Sequence, residues 1–137
     1  MRGLVRVGAA VPSLALGNVK ENMKRHLAMM REAKEKHVSI VTFPELSLTG
    51  YTCGDLFFQR RLLDDVTDAL LTLKDEMPEG ILAVVGAPLE IEGALYNCAV
   101  VLHKGEIISA VPKTFLPNNG AVSYTHLRAH ETTLHLV

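Results

Sequence analysis

The sequence lacks the features that mark membrane, secreted and nucleic-acid-binding proteins. No apolar run approaches the ~18 residues that a bilayer-spanning helix needs. The amino-terminal stretch MRGLVRVGAAVPS is too short, and too interrupted by arginine, to be a secretory signal. The formal net charge is -1, and basic residues are interspersed with acidic ones instead of forming a stripe. These absences predict a cytoplasmic protein that binds neither membrane nor nucleic acid.

Cysteine is scarce as well. The two cysteines, Cys53 and Cys98, match neither a C-x-x-C motif nor a Cys/His zinc spacing. We therefore expect two buried free thiols, and neither a disulfide framework nor a structural metal. What the chain does contain is 48% hydrophobic and 21% charged residues over 137 positions, the composition of one globular domain.

Hydrophobic spacing predicts alternating strands and helices. Short apolar runs at 4–11 and 38–43 are typical of buried strands. Between them a helix is expected to begin after Asn18, which can cap it, with Glu21 placed to accept the N–H of the cap in return. A second helix is predicted over 60–77. Three further strands follow at 81–87, 95–102 and 107–111, the last two joined by the turn HKGE. This order predicts an α/β fold with helices on one face of the sheet.

The carboxy-terminal segment 121–137 differs in character from the rest. It holds three of the six histidines, but His130, Glu131 and His135 miss the H-E-x-x-H spacing by one residue, which turns the second imidazole by about 100° on a helix. Residues 122–132, VSYTHLRAHET, resemble the in-frame translation of a sequencing-library adapter, and the final residues fit its second constant block. We therefore predict a native domain over 1–120 and a non-native tail over 121–137, with no metal site.

Two charged residues directly follow predicted strands. Glu45 comes after VSIVTFP and Lys113 comes after IISAVP. Charged groups at strand ends often face a ligand crevice, and a carboxylate beside an ammonium can handle protons; an ordinary rim salt bridge is the alternative. If Phe43 and Pro112 end neighbouring strands, Glu45 and Lys113 should meet within ~2.6 to 3.2 Å, or a little more, and be largely buried.

The segment FPELSLTGYTCGDLF at 43–57 resembles the glutamate motif of the carbon-nitrogen hydrolase (nitrilase) superfamily, in the form found in glutamine-dependent NAD+ synthetases. AVPSLALGNVKEN before it and VPKTFLPN after it resemble the same family, so the likeness covers about all of 1–120. The resemblance implies the first half of an α-β-β-α sandwich. It further implies that Glu45 is a general base, that Lys113 stabilises an oxyanion, and that Tyr51 lines the substrate pocket; a packed loop aromatic is an equal alternative for Tyr51.

The same resemblance implies that essential parts are missing. The family's nucleophilic cysteine follows the lysine, whereas Cys53 and Cys98 both precede Lys113, and the acidic residue expected beyond the lysine is absent. The fragment should therefore be inactive and hold no cofactor. The parent enzyme would hydrolyse glutamine to supply ammonia for ATP-dependent amidation of nicotinic acid adenine dinucleotide to NAD+. ATP and Mg would bind in its carboxy-terminal synthetase domain, and a homo-oligomer is expected. The alternatives are a stand-alone amidase of the superfamily and a non-catalytic binding module.

Overall fold

The computed structural model describes residues 3–50 and 60–116. In chain order the elements are β1 (Val7–Ala9), α1 (Val19–Glu35), β2 (Ile40–Thr42), α2 (Arg60–Glu76), β3 (Leu82–Ile91), β4 (Ala94–His103) and β5 (Glu106–Phe115). The strands form one sheet in the order β1-β2-β3-β4-β5. The first three strands are parallel, and β3, β4 and β5 form an antiparallel meander. The predicted α/β class and element order are confirmed.

The core lies between the helices and one face of the sheet. The cross-strand pairs Ala83–Leu102, Val85–Val100 and Ala87–Cys98 are buried and share this face, because side chains alternate along a strand. Leucine and methionine side chains of the two helices complete the same cluster. One helical layer on one sheet is half of an α-β-β-α sandwich, as the resemblance implied.

One of the two hydrogen bonds predicted for the N-terminal cap of α1 is present. Asn18 Oδ1 accepts the N–H of Glu21 at 3.2 Å, which confirms Asn18 as the N-cap. The prediction that the Glu21 side chain accepts the N–H of Asn18 is wrong, because that N–H donates to the Ala15 carbonyl at 3.0 Å. The Glu21 carboxylate instead pairs with Arg25, 3.4 Å away on the next turn.

The later strands are longer than predicted, and this changes the position of Lys113. Strand β5 continues to Phe115, so Lys113 lies inside the strand and does not follow it. Proline was expected to end the strand, but Pro112 is tolerated because β5 is an edge strand with a bulge. Strands β2 and β5 are also not neighbours, since β3 and β4 lie between them. The prediction that Phe43 and Pro112 end adjacent strands is therefore wrong.

Candidate active site

The loop 43–50 carries Glu45 and is tied to β3 at two points. The N–H of Phe43 donates to the Val84 carbonyl at 2.8 Å, and the N–H of Leu48 donates to the Gly86 carbonyl at 3.0 Å. These bonds continue the pairing of β2 with β3, while residues 44–47 loop out between them. Glu45 therefore projects from a segment that the sheet holds at both ends.

Gly86 makes room for this loop. A Cβ at position 86 would lie 2.5 Å from the carbonyl oxygen of Pro44 and 2.8 Å from the carbonyl carbon of Glu45, and it would also collide with the Leu46 nitrogen. Leu46 itself has a φ of 52°, a left-handed conformation that is uncommon outside glycine. The chain beside Glu45 therefore stores backbone strain, which is frequent at functional sites.

A buried line of polar groups supports the loop from α1. The N–H of Gly86 donates to Ser47 Oγ at 3.1 Å, Ser47 Oγ lies 2.8 Å from His26 Nε2, and His26 Nδ1 lies 2.6 Å from the Asn22 carbonyl. A carbonyl only accepts, so His26 Nδ1 carries the proton and Nε2 accepts from the Ser47 hydroxyl. Every donor in the line thus has an acceptor.

His26 is fully buried and stacks on the Phe43 ring with 4.4 Å between centroids. Burial lowers the pKa of His26 to about 4, and the hydrogen bond to the Asn22 backbone opposes that shift only in part. The imidazole is therefore neutral at neutral pH, as the single-proton arrangement requires. The side chain of Asn22 adds a second tie, because its amide donates to the carbonyls of Ala15 at 2.8 Å and Leu48 at 3.0 Å.

Glu45 and Lys113 form an ion pair, with 3.5 Å between Oε2 and Nζ. The predicted meeting of the two charges is confirmed, at a separation slightly beyond hydrogen-bond reach. The pair was expected to be largely buried, and most of each side chain is: 26% of Glu45 and 38% of Lys113 is exposed. The pair lies toward the sheet face opposite the core, which neither described helix covers.

A β-bulge directs Lys113 toward Glu45. Asn97 pairs with Thr114 and Cys98 pairs with Pro112, which leaves Lys113 as the extra residue of β5. A bulge breaks the regular alternation of side chains and re-aims the residue it contains. The two charges therefore meet although two strands separate their parent elements.

Asn97 of β4 completes the group. Its side-chain Nδ2 donates to Glu45 Oε1, and the residue is only 4% exposed. Asn97 is paired across the ladders with Pro88 and Thr114 and therefore points to the face opposite the core, together with the Glu45 loop. The described site is thus a carboxylate held by an amide on one oxygen and an ammonium on the other.

Cys98 takes no part in this group. Its side chain is 1% exposed and points into the helix-covered core, on the other face of the sheet from Asn97. Burial raises the pKa of the Cys98 thiol to about 11, so the thiol is protonated at neutral pH. The expected buried free thiol is confirmed at Cys98. Tyr51 and Cys53 lie outside the described residues, as does the predicted tail 121–137.

Within ranges 3–50 and 60–116, no group of three or more His, Cys, Asp or Glu side chains is arranged to hold a metal ion. In the same ranges neither helix is long and apolar enough to cross a membrane.

Asn22, His26, Ser47 and Asn97 belong to the site or its support but were not predicted from the sequence. Asn22 and His26 lie four residues apart on the inward stripe of α1, and polar residues on an apolar face are a usable signal. Asn97 interrupts the apolar run LYNCAVVL, which is a similar signal. Nothing in the sequence marks Ser47, because serine is ordinary in a loop.

Fold and site together define half of an α-β-β-α sandwich that carries a Glu–Lys pair on its sheet. A model of the carbon-nitrogen hydrolase family matches residues 6–134, so the chain belongs to that family. It is 40% identical over 116 residues to the glutamine-dependent NAD(+) synthetase of Mycobacterium tuberculosis, covering 84% of this chain and 17% of the relative. The synthetase of Aquifex aeolicus is 33% identical over 124 residues, covering 89% of this chain and 22% of the relative.

Solved structures agree with these relatives. A glutamine-dependent NAD(+) synthetase from Cytophaga hutchinsonii superposes with a TM-score of 0.76 at 29% identity, over 90% of this chain and 21% of that one. An amidase from Nesterenkonia sp. superposes with a TM-score of 0.68 at 18% identity, over 87% of this chain and 46% of that one, and shows the shared fold. The chain thus spans about a fifth of the length of the synthetases it matches.

Proposed function

We propose that this chain is the amino-terminal part of the glutamine-hydrolysing region of a glutamine-dependent NAD+ synthetase. The observation that carries the proposal is the Glu45–Lys113 ion pair, which forms between distant parts of the chain at the positions of the family motifs. The relatives that bear the synthetase name support the choice of glutamine over other amides. Residues 1–120 form the native part in this proposal, and 121–137 are adapter-derived.

The geometry suits acyl transfer from an amide. In the complete enzyme a cysteine thiol loses its proton to Glu45 as the sulfur attacks the glutamine side-chain carbonyl, and the Lys113 ammonium stabilises the oxyanion that forms. Glu45 then returns the proton to the departing nitrogen, and ammonia leaves a thioester. Water attacks the thioester, gives its proton through Glu45 to the sulfur, and releases glutamate.

The ammonia then serves ATP-dependent amidation of nicotinic acid adenine dinucleotide to NAD+ in a synthetase region. ATP and Mg belong to that region and not to the residues described above. A homo-oligomeric parent stays a prediction. Tyr51 keeps its proposed place in the wall of the glutamine pocket.

The test starts with the source gene, read past codon 120 to recover the complete frame. The complete protein should form NAD+ with either glutamine or ammonia as nitrogen donor. Glu45→Gln and Lys113→Met should each lower the glutamine-dependent rate by about 10²-fold or more, while the ammonia-dependent rate is unchanged. Glu90→Gln is the control, because Glu90 pairs with Arg60 at the surface, 2.8 Å away and apart from the Glu45–Lys113 pair.

Two outcomes would contradict the proposal. A complete frame without an ATP-binding SGGxDS-type loop, whose product hydrolyses another amide, would indicate a stand-alone amidase. A soluble product that hydrolyses no amide would favour a non-catalytic binding module.

A further inference from the structure

Asn97 contacts the carboxylate of Glu45 on the oxygen that Lys113 does not use. Nδ2 of Asn97 donates to Oε1, and Nζ of Lys113 lies 3.5 Å from Oε2. We propose that Asn97 is a positioning residue for glutamine hydrolysis, which fixes Glu45 so that Oε2 is presented for proton transfer. The inference rests on the function proposed above.

The orientation of the Asn97 amide follows from its partner. A carboxylate only accepts hydrogen bonds, so the NH₂ group must face Glu45 and the amide oxygen must point away. That oxygen, Oδ1, is buried and has no hydrogen-bond partner among the described residues. An unpaired buried oxygen costs stability, and an apolar side chain would fill this position of β4 without that cost. The contact with Glu45 is therefore the physical reason for an amide here.

Lys113 alone is poorly suited to fix the carboxylate. Its long side chain is 38% exposed, and the 3.5 Å separation is beyond a normal hydrogen bond. The terminal torsion of a glutamate is broad and has no strong preference of its own. Asn97 is short, 4% exposed, and held in a strand with partners on both sides. The amide therefore restrains the rotation of the carboxylate through Oε1, and burial keeps Asn97 itself out of contact with substrate.

The experiment uses the complete protein and measures glutamine hydrolysis and ammonia-dependent NAD+ formation. Asn97→Leu removes the donor at similar volume, and Asn97→Asp keeps the shape but replaces the donor with an acceptor. Both should lower kcat for glutamine by about tenfold or more, since small misplacements of reacting groups have large effects on rate. KM for glutamine should stay within about twofold, because Asn97 does not touch substrate.

Val100→Ala is the matched control. Val100 is fully buried in the same strand but points into the core on the opposite face, so this variant reports destabilisation without loss of the contact. It should keep kcat near the unsubstituted value. Ammonia-dependent NAD+ formation should be unchanged in all three variants, which shows that the synthetase region is intact.

The results distinguish failure of the positioning role of Asn97 from failure of the proposed function. If Glu45→Gln abolishes glutamine hydrolysis while both folded Asn97 variants match Val100→Ala in kcat, the positioning role is wrong and the proposed function stands. If the unsubstituted complete protein does not hydrolyse glutamine, the proposed function and this inference both fail. If Asn97→Leu does not fold, Asn97→Asp decides; failure of both to fold while Val100→Ala folds would make Asn97 structural and overturn the inference.

Discussion

Three contacts of individual residues fix the position of Glu45. Its backbone packs against Gly86, Ser47 of its loop is hydrogen-bonded to His26, and Asn97 donates a hydrogen bond to its carboxylate. Each of these contacts involves a buried group with little freedom to adjust. Small substitutions at these positions should therefore have measurable effects.

Gly86→Ala should destabilise the domain and displace the loop. The new Cβ would meet backbone atoms of Pro44 and Glu45 at 2.5 and 2.8 Å, and backbone cannot move aside as a flexible side chain can. We expect the free energy of unfolding to fall by about 1–3 kcal/mol, the usual cost of overpacking. Urea denaturation measures it. Gly8→Ala is the control, because the nearest atom there is Val38 Cγ1 at an ordinary 3.5 Å; equal loss in both variants would refute the steric argument.

His26 should make stability depend on pH. The pKa of His26 is lowered from 6.5 to about 4 in the folded protein by burial. Between these values the unfolded chain binds a proton that the folded protein does not, so the free energy of unfolding falls as pH falls. Between pH 6.5 and about 4 the free energy of unfolding falls by roughly 3 kcal/mol in total. Above the pKa of His26 in the unfolded chain, the contribution of His26 does not change with pH.

Denaturant unfolding between about pH 7 and pH 4.5 tests this dependence. His26→Gln should remove part of the acid destabilisation, whereas His37→Gln should keep it, because His37 is exposed at the end of α1. Identical pH dependence in the two variants would show that His26 is not the group responsible.

Among the elements, β5 is a long edge strand with exposed apolar side chains. It pairs only with β4 within the described residues, and its side chains Ile107, Ile108 and Val111 are 40%, 52% and 39% exposed. An open apolar edge strand is a template for pairing with another chain. The chain should therefore associate as its concentration rises.

Ile108→Lys should weaken this association, because a charged side chain on an edge strand opposes pairing. Sedimentation velocity over a concentration series would measure the change. Leu71→Lys on α2 is the matched control, since Leu71 is similarly exposed at 43% but lies on a helix. Equal weakening by both variants, or a monomer at every concentration, would contradict the role of the edge.

For the molecule as a whole, the 137-residue chain should release no ammonia from glutamine above background. The pair Glu45–Lys113 is present, but no thiolate is available to it from the described residues: Cys98 is protonated, with a pKa of about 11, and lies on the other face of the sheet. Without a nucleophile the covalent step does not occur. A coupled ammonia assay of the purified chain checks this.

Three variants separate the possible causes of any activity. Turnover that persists in Cys53→Ala and Cys98→Ala but disappears in Glu45→Gln would show a mechanism without a thiol. Turnover lost on Cys53→Ala alone would identify a nucleophile that precedes the lysine in the chain, contrary to the family order.

The sequence by itself determined the local features of this protein. Hydrophobic periodicity gave the order of strands and helices, Asn18 marked the start of α1, and the motifs around Glu45 and Lys113 indicated the family and the ion pair. These features are encoded within a few residues, where side-chain spacing and capping act directly.

Only the tertiary structure decided how Glu45 and Lys113 meet. Their strands were expected to be neighbours, yet β3 and β4 lie between them, and the contact depends on the bulge at Lys113 and the loop that Gly86 admits. The roles of Asn97 and His26 likewise appear only when distant segments are in register. Strand order and register depend on pairing between residues far apart in the chain, and a one-residue shift in one strand changes which side chains share a face.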